Sequence, residues 1–559
     1  MNRLVYWQFA AAAALCTSAT ACREAPRCAG NPCGTAVVLV TADASVLFPP
    51  LTQSNTDFAV SDLLFLKLAD IGLGLNTIGD AGFEPRLARS WKFEDPLTLS
   101  FQLDPRAHWQ DGVPVTAADV AFTFDIYRDT LVNSPVRPLL DQIASVTARD
   151  ERTAVFRFRR AYSERFYDAT HQMQILPRHL LDSIPRARLG SHPFARRPIG
   201  DGPYRLVTWN AGQSIELAAD TGFFLGRPGL ARLIWRVTPD YNTAITQLVA
   251  NEADFMDYLG PPENVARVAA APQLRIMTYP SAAYTFLDLN QWDPVNLSRS
   301  HPLFSDRDLR RALGHAVDRA ALIQAVVGKY GTLALGPTNR LTAIGNDSTL
   351  PQLAFDVAAA RSTLERLGWR TSGSGIRERG GRRLEFELLV PTSSQTRRRM
   401  AVVLQEQLKS VGVGVKISEL ELNLFLQRIN SRKFDAMINT FNGDPSPSGI
   451  QQTFTTAGIG KFNYRGYSNP RFDRLVAAAV AATDPAIATA KWREAFTVID
   501  NDAPGIWLYN PIQASGIHRR YENVTIRPDQ WTATLWTWRV SPGKLIPRDL
   551  VAASAPASP

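Results

Sequence analysis

Hydrophobic and polar positions along this chain follow two periods, one typical of helices and one typical of strands. Apolar residues recur about every 3.6 positions across residues 309–327, and Gly328 follows them. This spacing predicts one amphipathic helix that ends at the glycine. Val413, Val415 and Ile417 instead alternate with other residues, which is the period of a strand.

Helix starts are marked by polar residues with capping-box spacing. Thr116 and Asp119 have this spacing and predict a helix that runs to about residue 127. Ser305 and Asp308 repeat it just before the 309–327 segment. Asp356 can cap a further helix, which we expect to end near residue 368.

The region from 384 to 417 predicts a strand, a helix and a second strand in succession. The strand covers residues 384–390, the helix covers 397–411, and the second strand begins at 413. This order is that of a βαβ unit. Several such units in 559 residues predict a mixed α/β protein with more than one lobe.

Composition and charge are those of an ordinary globular protein. Hydrophobic residues make up 45% of the chain and charged residues 20%, with a net charge of +9. The positive charge is spread along the chain, and basic runs are as short as residues 397–399. Binding to nucleic acid requires a basic stripe or a recognition motif, so we expect no nucleic-acid partner.

The N-terminus predicts export. Residues 1–22 contain Arg3, an apolar run over 4–15 and then small residues, which together indicate a secretory signal peptide. The sequence Ala-Thr-Ala at 19–21, followed by Cys22, is similar to a bacterial lipobox, although alanine stands at 19 where leucine is commonest. We expect a lipid anchor on Cys22 and a location in the periplasm or cell envelope. Cleavage after residue 21 by ordinary signal peptidase is the alternative.

All four cysteines, Cys16, Cys22, Cys28 and Cys33, lie near the N-terminus. A catalytic thiol or a cysteine zinc site in the folded body is therefore not expected. Cys28 and Cys33 would remain in an oxidising compartment, where they could form a small disulfide, and the sequence does not decide whether they do. We predict that residues 23–35 form a flexible tether and that 546–559 form a disordered tail.

Motifs for common enzyme chemistry are absent from the sequence. It contains no Walker A loop, no GxGxxG, no GxSxG and no HExxH. The seven histidines are scattered without metal-ligand spacing. We therefore expect no cofactor, no metal and no enzymatic activity.

Residues 109–120, WQDGVPVTAADV, resemble the WxDGxPVTAxDV signature of the family-5 extracellular solute-binding proteins. These proteins are the oligopeptide-, dipeptide- and nickel-chelate-binding components of bacterial ABC importers. Within a second matching stretch, residues 198–204, Asp201 stands where the family has threonine. Six further stretches match family landmarks in the same order: residues 85–91, 198–204, 306–319, 356–369, 462–473 and 504–508.

The resemblance implies a two-lobed, α/β periplasmic-binding-protein-like fold of type II, with discontinuous lobes joined by a hinge. Lobe I would comprise residues 36–56, 200–295 and 505–545, and lobe II residues 296–504. An extra domain of the large lobe would cover 57–199. The signature itself is expected to build a turn and a helix start away from the ligand cleft.

The resemblance also points to candidate ligand contacts. Asp444 falls where peptide-binding relatives place an aspartate that pairs with the ligand's α-ammonium group. Phe441 falls where an aromatic residue lines the cleft, and Asn442 lies beside it. Val46 and Leu47 belong to a loop that resembles another cleft-edge segment. The alternative for Asp444 is a turn before proline, and the PSPSG sequence that follows departs from peptide binders.

The function implied by this resemblance is the extracytoplasmic substrate-binding component of an ABC importer. Such a protein captures a peptide or peptide-like solute by hinge closure and delivers it to a membrane permease with its ATPase subunits. We expect a monomer. The alternatives are an envelope hydrolase on the same scaffold and a ligand-sensing or chaperone binding protein.

Overall fold

A computed structural model describes residues 32–443 and 445–550. The strands within these residues are β1 (Thr35–Val40), β2 (Ala69–Ile71), β3 (Phe83–Pro85), β4 (Ala88–Asp95), β5 (Thr98–Leu103), β6 (Ile143–Ala148), β7 (Thr153–Phe158), β8 (Tyr204–Asn210), β9 (Ser214–Ala219), β10 (Arg232–Val237), β11 (Phe255–Met256), β12 (Leu274–Pro280), β13 (Ala283–Leu289), β14 (Gly331–Leu333), β15 (Arg370–Thr371), β16 (Arg377–Arg379), β17 (Arg382–Arg383), β18 (Glu385–Pro391), β19 (Gly414–Leu420), β20 (Ala436–Asn442), β21 (Gly505–His518), β22 (Tyr521–Glu522) and β23 (Arg539–Val540).

The α-helices of the same residues alternate with these strands. They are α1 (Asn55–Leu64), α2 (Ala117–Arg128), α3 (Arg165–His171), α4 (Arg178–Leu181), α5 (Tyr241–Val249), α6 (Pro262–Ala269), α7 (Arg307–Ala316), α8 (Arg319–Val326), α9 (Val357–Arg366), α10 (Gln395–Lys409), α11 (Leu422–Asn430), α12 (Ile450–Thr453), α13 (Pro470–Ala481) and α14 (Pro485–Asp502).

One long strand, β21, belongs to both lobes. Its first residues pair with β13, and β13 pairs in turn with β20 of lobe II. Its last residues pair with β12 and β11, and β11 pairs with β1 of lobe I. Each lobe is therefore assembled from distant parts of the chain, which confirms the predicted two-lobed α/β fold with discontinuous lobes.

Two connections cross between the lobes, and they are bonded to each other. One is the short link between β12 and β13, and the other is the middle of β21. The backbone N–H of Ser281 donates to the carbonyl of Pro511 over 2.9 Å. The buried amide of Asn510 donates to the carbonyls of Ala283 and Thr338, at 3.2 and 3.0 Å. We refer to this pair of crossing segments as the hinge.

The extra domain is built on a four-stranded antiparallel sheet in the order β4-β5-β7-β6. Its hydrophobic core is continuous with that of lobe I. The boundary of the extra domain is not resolved by this shared core and stays a prediction. The hinge lies at residues 281–283 and 510–511, away from the predicted lobe edges at 295 and 505.

The WQDGVPVTAADV stretch forms a turn and a helix start, as predicted. Trp109 is fully buried, and its carbonyl accepts the N–H of Gly112, whose φ of +90° suits glycine. The carboxylate of Asp119 accepts the backbone N–H and the hydroxyl of Thr116, at 2.8 and 2.7 Å. The Gln110 amide donates to the Tyr204 carbonyl over 2.7 Å, which fixes the extra domain to lobe I.

The segment around Asp201, where the resembling pattern has threonine, shows what aspartate does at this position. The buried carboxyl of Asp201 accepts the backbone N–H of Leu66 over 2.8 Å. A Cβ on neighbouring Gly200 would lie 1.8 Å from the Leu64 carbonyl oxygen, so only glycine fits. The residue at 201 thus serves a tight packing of two backbones.

The predicted helix over residues 309–327 is wrong in two respects. It is two helices, α7 and α8, because Val317 is extended and Asp318 caps the second helix by accepting the N–H of Ala321 over 2.9 Å. The cap of α7 is Asp306, which accepts the N–H groups of residues 308 and 309. Ser305, the predicted cap, donates its hydroxyl backward to the His301 carbonyl.

Other local predictions are confirmed. Asp356 caps α9 by accepting the N–H of Ala359 over 2.8 Å. The strand–helix–strand succession over 384–417 is β18, α10 and β19, and the two strands pair in parallel, as a βαβ unit requires.

The described ends of the chain are bound to lobe I. Cys33 is disulfide-bonded, and its N–H donates to the Gly229 carbonyl over 2.9 Å. Asp549 pairs with Arg520 at 2.6 Å and accepts the N–H of Thr35 over 2.8 Å. Residues 546–550 are therefore part of the folded body and not of the predicted tail. Cys22, Cys28 and the predicted signal peptide lie outside the described residues.

Candidate functional site

A two-part cleft lies between the lobes. Its first part, the lobe II cavity, has a volume of about 770 Å³ and is enclosed by the extra domain and lobe II. Its second part, the lobe I cavity, has a volume of about 640 Å³ and is enclosed by lobe I, the extra domain and the hinge. Leu139, Gln172 and Asn442 line both cavities, so the two are continuous parts of one cleft.

Phe441 and Asn442 stand in this cleft beside the hinge. They end strand β20, where Asn442 pairs with Ala283 and Phe441 pairs with Tyr284 of β13. The Phe441 ring lies 5.9 Å from the ring of Tyr284 and 5.7 Å from that of Phe286. Asn442 therefore lies at the meeting point of both cavities and Phe441 lines the lobe II cavity, while a role of either residue in ligand contact stays a prediction.

A buried ion pair supports this aromatic wall from behind. Asp288 of β13 and Arg465 are both fully buried and form a two-fold contact, with Nη2 to Oδ2 at 2.8 Å. The guanidinium of Arg465 also lies 4.1 Å from the Phe454 ring centre and 5.3 Å from that of Phe286. Such a pair is costly to break, so it fixes the strand that carries the cleft aromatics.

Of the remaining predicted ligand contacts, Asp444, Val46 and Leu47, the last two line neither cavity. Asp444 lies outside the described residues. Leu47 is fully buried in the core shared by lobe I and the extra domain, and its N–H donates to the Ala195 carbonyl. Val46 packs against the same core. From this stretch of the chain, Pro49 and Thr52 line the lobe I cavity instead.

Carboxylates that line the lobe II cavity accept hydrogen bonds from protein groups, whereas two cations that line it have no carboxylate partner among the described residues. Asp168 accepts the Tyr162 hydroxyl over 2.6 Å. Arg160 and Lys461 line the cavity, are exposed, and form no ion pair with a described residue. These two cations were not singled out from the sequence because exposed basic residues are common along the whole chain.

Glu164 connects the extra domain to lobe II across the cleft. One of its oxygens accepts the Thr77 hydroxyl over 2.5 Å within its own domain. Its other oxygen accepts the hydroxyls of Ser446, at 2.8 Å, and Ser448 from the opposite lobe. Beside it, the N–H of residue 163 donates to the carbonyl of residue 480 over 3.1 Å. The cleft is therefore closed along this side.

The lobe I cavity has two carboxyl groups that are served only by neutral donors. Asp62 accepts the Gln174 amide over 2.8 Å and the Thr532 hydroxyl over 3.2 Å. Asp257 accepts the Tyr279 hydroxyl and the Gln513 amide, the latter over 3.1 Å. Burial raises the pKa of each carboxyl to about 6.

The remaining charged groups of this cavity are Lys67, His171 and Asp529. The pKa of His171 is lowered well below its usual value by burial, with Lys67 beside it, so the ring is neutral. Asp529 pairs with Arg527 at 2.7 Å. Sequence reasoning missed these acids because they come from separate segments and carry no local motif.

The rest of the described chain has neither a metal-binding cluster nor a membrane-spanning helix. Residues 32–443 and 445–550 contain no group of three or more His, Cys, Asp or Glu side chains placed to hold a metal ion. None of the helices within these ranges has the length and apolar character needed to cross a bilayer.

Several known proteins are similar to this chain over most of its length. The oligopeptide-binding protein AppA of Bacillus subtilis (strain 168) is 27% identical over 459 residues, which is 81% of this chain and 82% of AppA. Protein XP55 of Streptomyces lividans is 28% identical over 500 residues, or 87% of this chain and 86% of XP55.

Solved structures show the same fold. The structure of Bacillus subtilis AppA in complex with a nonapeptide superposes with a TM-score of 0.70 at 26% identity, covering 91% of this chain and 99% of that one. NikZ of Campylobacter jejuni, in complex with Ni(L-His), has a TM-score of 0.72 at 22% identity, with 91% and 100% covered.

The sequence model of one protein family matches more than half of the chain. It is described as bacterial extracellular solute-binding proteins, family 5 (middle), and it matches residues 82–461. This range contains the signature stretch, the extra-domain sheet and the strand that carries Phe441. The chain therefore belongs to the bacterial extracellular solute-binding proteins, family 5.

Proposed function

We propose that this protein is the substrate-binding component of an ABC importer and that it captures a peptide in the interlobe cleft. The observation that carries this proposal is the size of the cleft, whose two cavities have volumes of about 770 and 640 Å³. Small-molecule sites typically occupy about 300–1,000 Å³, so the combined space suits a ligand of several residues. The likeness to AppA, whose structure holds a nonapeptide, supports the same ligand class.

Capture would proceed by closure about the hinge. A peptide that touches both lobes favours the closed arrangement by the difference in its affinity for the two states. The Glu164 contacts with Ser446 and Ser448 would add to this closed state. Delivery would be to a membrane permease with its ATPase subunits, by a monomeric receptor held at the membrane through acylated Cys22.

Within this function, Phe441 would pack against the peptide and Asp444 would pair with its α-ammonium group. A cation enclosed between the lobes loses its water and needs an anion in return. The exposed cations Arg160 and Lys461 supply partners for a ligand carboxylate at the lobe II cavity.

The test is isothermal titration of the purified protein with synthetic peptides of two to nine residues. Phe441→Ala should weaken the tightest peptide by about tenfold, since it removes a ring from the cleft. Phe355→Ala is the matched control, because Phe355 is 51% exposed and lines neither cavity. Absence of binding by every peptide would overturn the proposal, and hydrolysis of a bound peptide, followed by mass spectrometry, would favour the hydrolase alternative.

A second variant tests the predicted ammonium partner. Asp444→Asn should weaken peptides with a free N-terminus about tenfold and leave N-acetylated peptides unchanged, since only the former carry the charge. If both kinds of peptide bind equally well to the variant and to the parent protein, Asp444 serves only its turn.

A further inference from the structure

The wall of the lobe I cavity carries two buried carboxyl groups whose hydrogen-bond donors are all neutral. Asp62 and Asp257 both line this cavity, and neither forms an ion pair with residues 32–443 or 445–550. Asp62 accepts the amide of Gln174 and the hydroxyl of Thr532. Asp257 accepts the amide of Gln513 and the hydroxyl of Tyr279.

The other charges that face this cavity leave an excess of acid. One carboxylate oxygen of Asp529 accepts a hydrogen bond from Arg527. Its other oxygen, Oδ2, is buried without a hydrogen-bond partner among the described residues. The side chain of Asp529 is only 5% exposed. Among the described residues, Lys67 is the single charged base that lines the cavity, since burial keeps His171 neutral. Because Asp529 is paired with Arg527, the carboxyl groups of Asp62 and Asp257 remain to face the one ammonium group of Lys67.

Buried carboxylates without a counter-charge are unfavourable, and a ligand cation would relieve that cost. The raised pKa of both Asp62 and Asp257 reflects this burial. Aromatic rings of Phe58, Tyr127 and Trp531 line the same cavity. Such rings suit the methylene stem of a basic side chain and attract its charged end.

We propose that the lobe I cavity selects peptides with a lysine or arginine side chain, whose cationic group is held by the carboxylates of Asp62 and Asp257. This inference rests on the proposed peptide-binding function and adds the class of peptide. It concerns a side chain of the ligand, and it is separate from the α-ammonium group assigned to Asp444.

The test compares alanine-based pentapeptides by isothermal titration at pH 7.5. One set carries a single lysine at each position in turn, and matched sets carry norleucine or glutamate. The tightest lysine peptide should bind at least tenfold more tightly than pentaalanine and its norleucine counterpart, and the glutamate peptide should bind more weakly. Norleucine has the same stem as lysine without the charge, so this comparison isolates the cation.

Variants then assign the effect to residues. Asp62→Asn and Asp257→Asn should each reduce the affinity for the best lysine peptide, relative to that for its norleucine counterpart, at least tenfold. Glu151→Gln is the control, since Glu151 is exposed and lines neither cavity.

The outcomes separate this inference from the proposed function. Equal affinity of the parent protein for lysine, norleucine and alanine peptides overturns the inference and leaves peptide capture standing. Retention of the lysine preference in both asparagine variants also overturns it. Absence of binding by all pentapeptides overturns both. If a variant does not fold, as judged by circular dichroism, the comparison made with the parent protein decides.

Discussion

At Asp62 the chain keeps a carboxyl group where burial opposes its charge. The pKa of this group is raised to about 6, above the value near 3.8 that it has without burial. Between about pH 4 and pH 6, the folded protein therefore binds more protons than the unfolded chain. The folded state loses stability as pH rises through this window, and the full penalty applies above it.

Removing this charge should stabilise the unliganded protein while it weakens capture of a cation. We expect Asp62→Asn to raise the free energy of unfolding by about 1 kcal/mol at pH 7.5, a discounted share of a pKa shift of this size. At pH 3 the change should be close to zero, because the parent carboxyl is then protonated in both the folded and the unfolded chain. Calorimetric melting at both pH values measures this, and an equal gain at both would contradict it.

The affinity of the parent protein for a lysine peptide should follow the same titration. Asp62 faces Lys67 and Asp70, with Arg527 nearby, while Asp257 is surrounded by neutral donors. Both carboxyls are ionised above about pH 6, so binding should be tight at pH 7.5 and fall as pH drops toward 5. Pentaalanine should show no such fall, and a parallel loss for both peptides would argue against these two groups.

Single residues were predicted unequally well. Phe441 and Asn442 were predicted from a segment that aligns with the family pattern, and both line the cleft. Asp62 was not predicted as a site residue, because a polar residue on a surface helix such as α1 is normally expected to face solvent. Val46 and Leu47 were placed at the cleft edge, but a 3₁₀ turn at Pro49–Leu51 directs later residues toward the cavity.

Among the elements, α7 and α8 show what a hydrophobic period can and cannot predict. The apolar spacing over 309–327 is continuous, because both helices pack against the same lobe II core. The break at Val317 does not disturb that spacing, so the period alone cannot reveal it. Asp318, which caps the second helix, is the residue that could have indicated the start of α8 in the sequence.

This cap gives a prediction at the level of an element. Asp318→Ala should lower the free energy of unfolding by about 1 kcal/mol, since it removes the acceptor for the first turn of α8. Asp318→Asn is the matched control and should retain most of the stability, because asparagine is an equally good cap. Chemical denaturation measures both, and equal losses in the two variants would mean that charge, not capping, matters there.

For the whole molecule, the contacts of Glu164 join the two sides of the cleft, and we expect them to favour the closed arrangement of the lobes. The buried carboxylate joins the extra domain to Ser446 and Ser448 of lobe II. The two-lobed architecture was predictable because its landmarks are spread along the chain. This contact was not predictable, because nearly 300 residues separate its partners and neither end has a motif.

Loss of this contact should open the unliganded protein. We expect Ser446→Ala combined with Ser448→Ala to increase the radius of gyration in solution scattering. Peptide affinity should fall about three- to tenfold, because closure must then be driven by the ligand alone. Ser372→Ala with Ser374→Ala is the matched control, in a loop of the same lobe whose two hydroxyls bond to each other. Identical scattering from both double variants would contradict the role given to Glu164.

Strand β21 has a consequence for how the protein is made. It closes the gap between β13 and β14 in one lobe and between β11 and β12 in the other. A chain exported from its N-terminus would deliver this strand after all the strands with which it forms these sheets, so neither sheet is complete until residue 518 has emerged. Premature termination before residue 505 would therefore leave two unfinished sheets with exposed edges, and not one finished lobe and one missing lobe.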